Sequence, residues 1–267
     1  MNDQASSVPS GTGAMSIAMQ DPVVETSDLT RRFGQILAVD NITLTIRAGE
    51  IFGLIGPNGA GKSTLIKMLT TMLPPSSGWA RVAGFDVTTA PEQVRKHIGY
   101  VPQVLSSDRE LTGYENLILS ARLYLIPRAE RQKRIEEALA MMGLSEARDR
   151  LVNKYSGGML RRLEIAQSML HRPSILFMDE PTVGLDPGGR HTVWQHVRSL
   201  NRDLGSAVVL TTHYMDEADE LCHRVAVIYR GILKAIGTPS ELKALYAPGA
   251  SLDAVYDALM GSRGAES

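Results

Sequence analysis

Between residues 51 and 69 the chain passes from five nearly wholly apolar residues, Ile51-Phe52-Gly53-Leu54-Ile55, into Gly56-Pro57-Asn58-Gly59-Ala60-Gly61-Lys62-Ser63, and then into Thr64-Leu65-Ile66-Lys67-Met68-Leu69. A strand that is apolar on both faces has to be covered on both faces, which is the habit of parallel sheets lying between other layers. The next eight residues satisfy Gly-x-x-x-x-Gly-Lys-Ser and lead into a helical pattern. Glycines let the backbone wrap closely around a phosphate, and successive N–H groups and the helix start point at the anion. Lys62 adds a positive charge, and the Ser63 hydroxyl suits Mg²⁺. Strand, loop and helix in this order commit the chain to an α/β body that binds nucleotide phosphate.

The same apolar texture returns at Ile175–Met178, Ala207–Leu210 and Val225–Ile228. Helical patterns such as 132–142 and 160–170 lie between these runs, which predicts a mainly parallel central sheet. Upstream, Ile42, Leu44 and Ile46 alternate with Thr43 and Thr45, the pattern of a strand with one buried face, before Ala48-Gly49-Glu50 turns the chain. Order is expected to begin near Val23. Residues 104–155 differ in kind. They carry charged helical segments, 114–125 and 131–142, without a strand-like run, which predicts a helical subdomain inserted into the α/β body. The apolar run 175–178 ends in Asp179-Glu180, and the C-terminal end of a parallel strand is where open α/β sheets place ligands. Asp179 is expected to hold Mg²⁺ directly or through water, and Glu180 to orient or deprotonate an attacking water.

Charge narrows the partners. With 28 Lys and Arg against 29 Asp and Glu, the formal net charge of -1 supplies no field to gather a polyanion, so no nucleic acid is expected. No stretch approaches the roughly 18 to 20 apolar residues that cross a bilayer. Cys222 is the single cysteine, cannot form a disulfide framework, and is expected to be a small buried hydrophobe in a reducing compartment. Residues 1–20, rich in Ser, Gly, Ala and Met, are expected to form a disordered tail, with Met15 or Met19 as alternative starts. The charged and apolar regions of a secretory signal are both missing there.

Between the two halves of the phosphate site stands Tyr155-Ser156-Gly157-Gly158-Met159, leading into a helix, and beyond them come Gly184-Leu185-Asp186 and Thr211-Thr212-His213. This order resembles the ATP-binding-cassette ATPases, the nucleotide-binding subunits of ABC transporters, over residues 21–245. The resemblance implies a P-loop NTPase fold with a mainly parallel central sheet, an N-terminal antiparallel β subdomain and the helical subdomain at 104–155, with 246–267 as a short C-terminal extension. It implies ATP and Mg²⁺ as cofactors. Gly56, Pro57, Asn58, Gly59, Ala60, Gly61, Lys62, Ser63 and Thr64 would cradle the phosphates, with Phe33 stacked on adenine. Ser63, Gln103 and Asp179 would serve the metal, and Lys62, Gln103, Glu180 and His213 the hydrolysis. Gln103, after Ile98-Gly99-Tyr100-Val101-Pro102, would also link the nucleotide to a membrane partner. Ser156, Gly157 and Gly158 would contact ATP held by a second copy of the chain, and Asp186 would communicate across that pair.

Two positions depart from the family pattern, because Tyr155 and Met159 stand where Leu and Gln are usual, and Met159 cannot make the hydrogen bonds of an amide. Tyr-Ser-Gly-Gly-Met with Arg161-Arg162, then Gly237-Thr238-Pro239-Ser240-Glu241-Leu242 and Ser251-Leu252-Asp253-Ala254-Val255-Tyr256, resemble the daunorubicin-resistance branch of drug exporters. That implies an ATPase subunit driving export, of a drug or antibiotic, through separate transmembrane permease subunits, from the cytoplasmic face of the cell membrane. A soluble ATPase switch on ribosomes or DNA is one alternative; such relatives carry two cassettes or a long coiled coil before the Ser-Gly-Gly motif, and neither appears. An import ATPase is the other. Some importers append a large regulatory domain, whereas few residues follow Leu242. Leu252, Val255 and Leu259 share a helical face, with Ser251 placed to cap it.

Overall fold

In the computed structural model residues 21–261 are described; the expected tail at 1–20 lies outside them, as do the last six residues of the extension. Two long strands, β1 (Pro22–Phe33) and β2 (Ile36–Arg47), form an antiparallel hairpin. Ile42, Leu44 and Ile46 are buried and Thr43 and Thr45 exposed, as their alternation predicts. The buried strand β3 (Ile51–Ile55) follows, then the glycine loop and α1 (Lys62–Leu69). Strands β4 (Ser77–Val82) and β5 (Phe85–Asp86) return to the hairpin and complete a four-stranded antiparallel sheet in the order β2-β1-β4-β5. After α2 (Pro91–His97) comes β6 (Ile98–Val101).

From β6 the chain leaves the sheet for α3 (Gly113–Leu123), α4 (Arg128–Met141) and α5 (Gly157–Met169). A reciprocal capping box between Thr112 and Glu115 sets the start of α3, satisfying backbone donors that the first turn leaves without partners. The sheet resumes with β7 (Ile175–Asp179), followed by α6 (Pro187–Leu204), β8 (Ala207–Thr212), α7 (Met215–Leu221), β9 (Arg224–Tyr229), β10 (Ile232–Gly237), α8 (Pro239–Tyr246) and α9 (Leu252–Gly261). Its strand order is β10-β9-β3-β8-β7-β6. Every pairing is parallel except β9 with β10, at the edge.

The nearly continuous apolar strands follow from this arrangement, since both faces of the six-stranded sheet are buried. Phe52, Leu54, Ile175, Phe177 and Val209 pack toward α1 and the antiparallel sheet. Ile51, Ile55, Leu176, Met178 and Leu210 pack toward α5, α6, α7 and α9. Burying a residue such as Phe177 contributes about 1.5 to 3 kcal/mol, so this double layer is the main source of stability. Gly53 has a packing reason: a Cβ there would meet the Cys222 sulfur at 2.8 Å. Cys222 is accordingly a buried hydrophobe, and burial pushes its thiol well above the ordinary value. On α9, Leu252 and Val255 are buried and Leu259 is half-buried against the same core. No helix among the described residues is long and apolar enough to cross a membrane.

Candidate functional site

The parallel strands deliver their C-terminal ends to one edge in register: Leu54 pairs with Thr211 and Thr211 with Asp179, while Val101 pairs with Met178. The glycine loop, Gln103, Asp179-Glu180 and His213 therefore emerge side by side, although they lie far apart in sequence. Gly56 and Gly61 hold φ of 152° and 104°, and a Cβ would strike the Ile228 carbonyl oxygen at 2.1 Å and the Ala38 carbonyl oxygen at 2.3 Å. Only glycine fits both the backbone angle and the space at these two positions. Gly61 also stands at the N-cap of α1, where no side chain caps the helix. The first-turn N–H groups are thus available to an anion.

Lys62 is buried, and its Nζ donates to the carbonyls of Gly56 at 2.7 Å and Pro57 at 3.0 Å, with Glu180 Oε1 at 3.7 Å. Burial lowers the Lys62 pKa from its ordinary value, while the charges of Glu180 and Asp179 oppose that fall. Ser63 Oγ donates to Asp179 Oδ1 at 2.9 Å, and the same oxygen accepts from Thr211 Oγ1 at 2.6 Å. A serine hydroxyl, a carboxylate and the nearby Gln103 amide are hard oxygen donors. Mg²⁺ takes few protein ligands of this kind together with phosphate oxygens, so the set fits it. Asn58, Gly59, Ala60, Gly61, Lys62, Ser63, Thr64, Gln103 and Glu180 line one cavity of about 290 Å³.

Glu180 is buried and adopts φ of 49°, a conformation that strains a residue with a Cβ by about 1 to 2 kcal/mol. Its N–H donates to Thr211 Oγ1 at 2.9 Å, which stabilises the kink. The kink sends the carboxylate between Lys62 and His213, whose Nδ1 lies 3.2 Å from Glu180 Oε2 without making a hydrogen bond. His213 also borders a neighbouring cavity of about 270 Å³ with Gly56, Pro57 and the α9 residues Asp253, Tyr256 and Asp257. Nothing in the residue pattern of α9 announces its approach to the loop.

Other expected site residues lie elsewhere. Phe33 does not line the phosphate cavity. It is exposed at the end of β1, with the Arg31 guanidinium 4.6 Å from its ring centroid, on the hairpin that also brings Ala38 to the cavity rim. Ser156, Gly157 and Gly158 form, with Gly184, Asp186 and Arg162, a second cavity of about 480 Å³ that shares no residue with the first. Ser156 caps α5, accepting from the Met159 N–H at 3.3 Å, and Asp186 caps α6, accepting from the Gly189 N–H at 2.6 Å. Tyr155 explains one departure from the family pattern: its ring is buried and its hydroxyl donates to the Ala147 carbonyl at 2.7 Å. Met159 packs half-buried against the core.

One feature that sequence reading missed joins the two cavities. Arg161, buried on α5, donates to the carbonyls of Pro102 at 2.6 Å and Gln103 at 2.9 Å, and pairs with Glu164 at 3.3 Å. Glu164 in turn accepts from the Ser106 and Ser107 backbone N–H groups. The helix that begins at Ser156 thus grips the loop that carries Gln103. Removing one partner of a buried pair leaves the other charge uncompensated, which costs about 3 kcal/mol. Glu164→Ala is expected to show that loss in chemical denaturation, and a change below about 0.5 kcal/mol would dismiss the pair as a stabilising clamp.

Comparison with known proteins is consistent with this geometry. The family model described as ABC transporter matches residues 39–183. The chain is 50% identical over 220 residues to the daunorubicin/doxorubicin resistance ATP-binding protein of Streptomyces peucetius, covering 82% of this chain and 66% of that one. A solved ATP-binding subunit of an ABC transporter superposes with a TM-score of 0.79 at 30% identity, covering 89% of this chain and 99% of that one. A dimeric post-hydrolysis cassette bound to ADP and Pi superposes with a TM-score of 0.72 at 27% identity, covering 80% of this chain and 98% of its own. The chain spans 66% and 63% of the length of the first curated relatives it matches.

Proposed function

Because the chain belongs to the ABC transporter family of ATP-binding cassettes, we propose that it binds and hydrolyses ATP as one half of a two-copy clamp that drives export through separate permease subunits. The observation that carries the clamp is the separation of the two cavities. A helix N-terminus capped by Ser156 is an anion-binding end, yet its cavity shares no lining residue with the phosphate-loop cavity of its own chain. A second copy supplies what each loop lacks. A similar cassette has been solved as a dimer bound to ADP and Pi, which supports a two-copy assembly.

In this reading the loop N–H groups and Lys62 hold the triphosphate, and Ser63, Asp179 and Gln103 hold Mg²⁺, which neutralises phosphate charge when bound. Glu180 orients the attacking water and accepts its proton. His213 contributes beside Glu180, and Phe33 offers an exposed ring to adenine. Catalysis of this type rests on positioned charge around the transferring phosphoryl group. The body is residues 21–245, with 104–155 as its helical part and 246–267 as an extension. The permease docks on the groove between the loop after β6 and α3, where Leu119 and Leu123 are exposed beside Ser106 and Glu164. Its neighbours in that loop are gripped by Arg161, so nucleotide state reaches the docking face. This docking places the chain on the cytoplasmic face of the membrane. The resistance function named for the Streptomyces relative supports a drug or antibiotic as cargo.

The test uses the lone buried cysteine as a silent background. Asn58 and Ser156 are both exposed, so Asn58→Cys and Ser156→Cys in separate copies are expected to cross-link between chains only when ATP is added. Cross-linking that ignores ATP, or that never joins two copies, would remove the clamp. Export is tested by co-expressing the chain with its permease: daunorubicin should leave loaded cells faster than with a Lys62→Ala copy, and equal rates would remove that cargo.

A further inference from the structure

A buried carboxyl that the proposed mechanism does not use lies directly beneath the hydrolytic turn. Glu217, on α7, is fully buried. Its Oε1 accepts from Thr182 Oγ1 at 2.8 Å and from Trp194 Nε1 at 2.8 Å, while Oε2 has no hydrogen-bond partner among the described residues. Burial pushes the carboxyl up from its ordinary value, and the Thr212, Thr182 and Trp194 side chains and the charge of Arg190 oppose that rise. Burying an acid costs desolvation that hydrogen bonds must offset, and here one oxygen takes both donors.

What it holds is specific. Thr182 lies two residues beyond Glu180, in a turn closed by the Val183 N–H to the Glu180 carbonyl and by the Leu185 N–H to the Thr182 carbonyl. Trp194 stands two turns into α6, the helix that Asp186 caps at the rim of the second cavity. Glu217 itself is four residues past His213, on the helix that His213 and Tyr214 lead into. The three segments that carry Glu180, Asp186 and His213 therefore meet at one buried oxygen.

We propose that Glu217 is a positioning residue for hydrolysis: it ties the turn of Glu180 to the helix of Asp186 and the strand end of His213, so that docking of the second copy sets the angle of the Glu180 carboxylate. This rests on the ATPase reading above. Glu217 touches neither the phosphate loop nor the metal ligands, so its removal leaves ATP binding intact and disturbs only the geometry of the attacking water. A misplacement of about 1 Å in such a site costs about 10² in rate.

The experiment compares steady-state hydrolysis of Mg-ATP by wild type, Glu217→Ala, Glu217→Gln, Thr182→Val and Trp194→Phe. Glu217→Ala is expected to lower kcat by about 10² with KM for ATP nearly unchanged. Glu217→Gln keeps the accepting oxygen and recovers most of the rate. Thr182→Val removes one donor at nearly constant volume, Trp194→Phe removes the other with some loss of ring volume, and each gives a smaller loss of kcat. They carry the test if Glu217→Ala fails to fold. Unchanged kcat in both, or equal losses in kcat and in ATP affinity, would overturn the role of Glu217. Wild type without turnover would instead overturn the ATPase reading, and this inference with it.

Discussion

Glu180→Gln is expected to bind ATP at least as tightly as wild type, to release phosphate about 10² to 10⁴ times more slowly, the usual span of a general base, and to run as a dimer on gel filtration in ATP. The side chain is buried between Lys62 at 3.7 Å and His213 at 3.2 Å, so an amide of the same size leaves the surroundings in place. It cannot accept a proton from water. Removing the carboxylate also removes its attraction for the Lys62 ammonium, and with it a negative charge beside the triphosphate, so affinity does not fall. In the proposed clamp hydrolysis is what reopens the pair, so without it the closed pair is expected to accumulate. Normal turnover with only monomer in ATP would show that Glu180 does no proton transfer.

Lys62→Ala gives the opposite separation, loss of binding without loss of fold. Each hydrogen bond to a charged group contributes about 1.5 to 3 kcal/mol, so equilibrium ATP affinity is expected to fall by about one to two orders of magnitude. Folding stability follows a different sign. Burial lowers the Lys62 pKa below its ordinary value, so the unfolded chain binds the proton more readily than the folded one. Folding therefore works against this ammonium wherever the unfolded lysine is protonated, and stability rises as pH climbs from the lowered folded pKa toward the ordinary one. At neutral pH the alanine variant is relieved of that penalty but leaves Glu180 and the Gly56 and Pro57 carbonyls without their partner, so the two effects oppose each other and stability shifts far less than ATP affinity. Titration calorimetry and thermal denaturation read the two effects separately; unchanged ATP affinity would take Lys62 out of the phosphate site.

How much of this was legible depends on where the physical constraint lies. The loop from Gly56 to Ser63 is written in residue types, because only glycine tolerates the angles and contacts at Gly56 and Gly61. The strands were legible for a similar reason, since a sheet buried on both faces admits little but apolar residues. Glu164 was not. Three residues after Arg161 on a helix, it reads as an ordinary surface pair, and only the fold reveals the loop they hold. Glu217 likewise reads as an acid in the first turn of α7, favoured there by the helix dipole, until Thr182 and Trp194 arrive from elsewhere. Phe33 was expected at the nucleotide by resemblance; its exposure on the hairpin tip shows an available ring, whereas sequence alone could not separate that from a core position.

The position of β6 has a mechanical consequence. Among the described residues it is the outermost strand of the six-stranded sheet and pairs only with β7, and from its end the chain departs toward α3, α4 and Ser156. The lobe so formed is hung from a margin, so tilting it tears no inter-strand ladder. The short stretch from Pro102 to Ser107 leads into the lobe, and the Arg161–Glu164 grip ties that stretch to α5. A tilt of that lobe would leave the strand ladders in place and be taken up by the side chains that α5 packs against the sheet, which belong to the same apolar cluster as Leu176 and Met178.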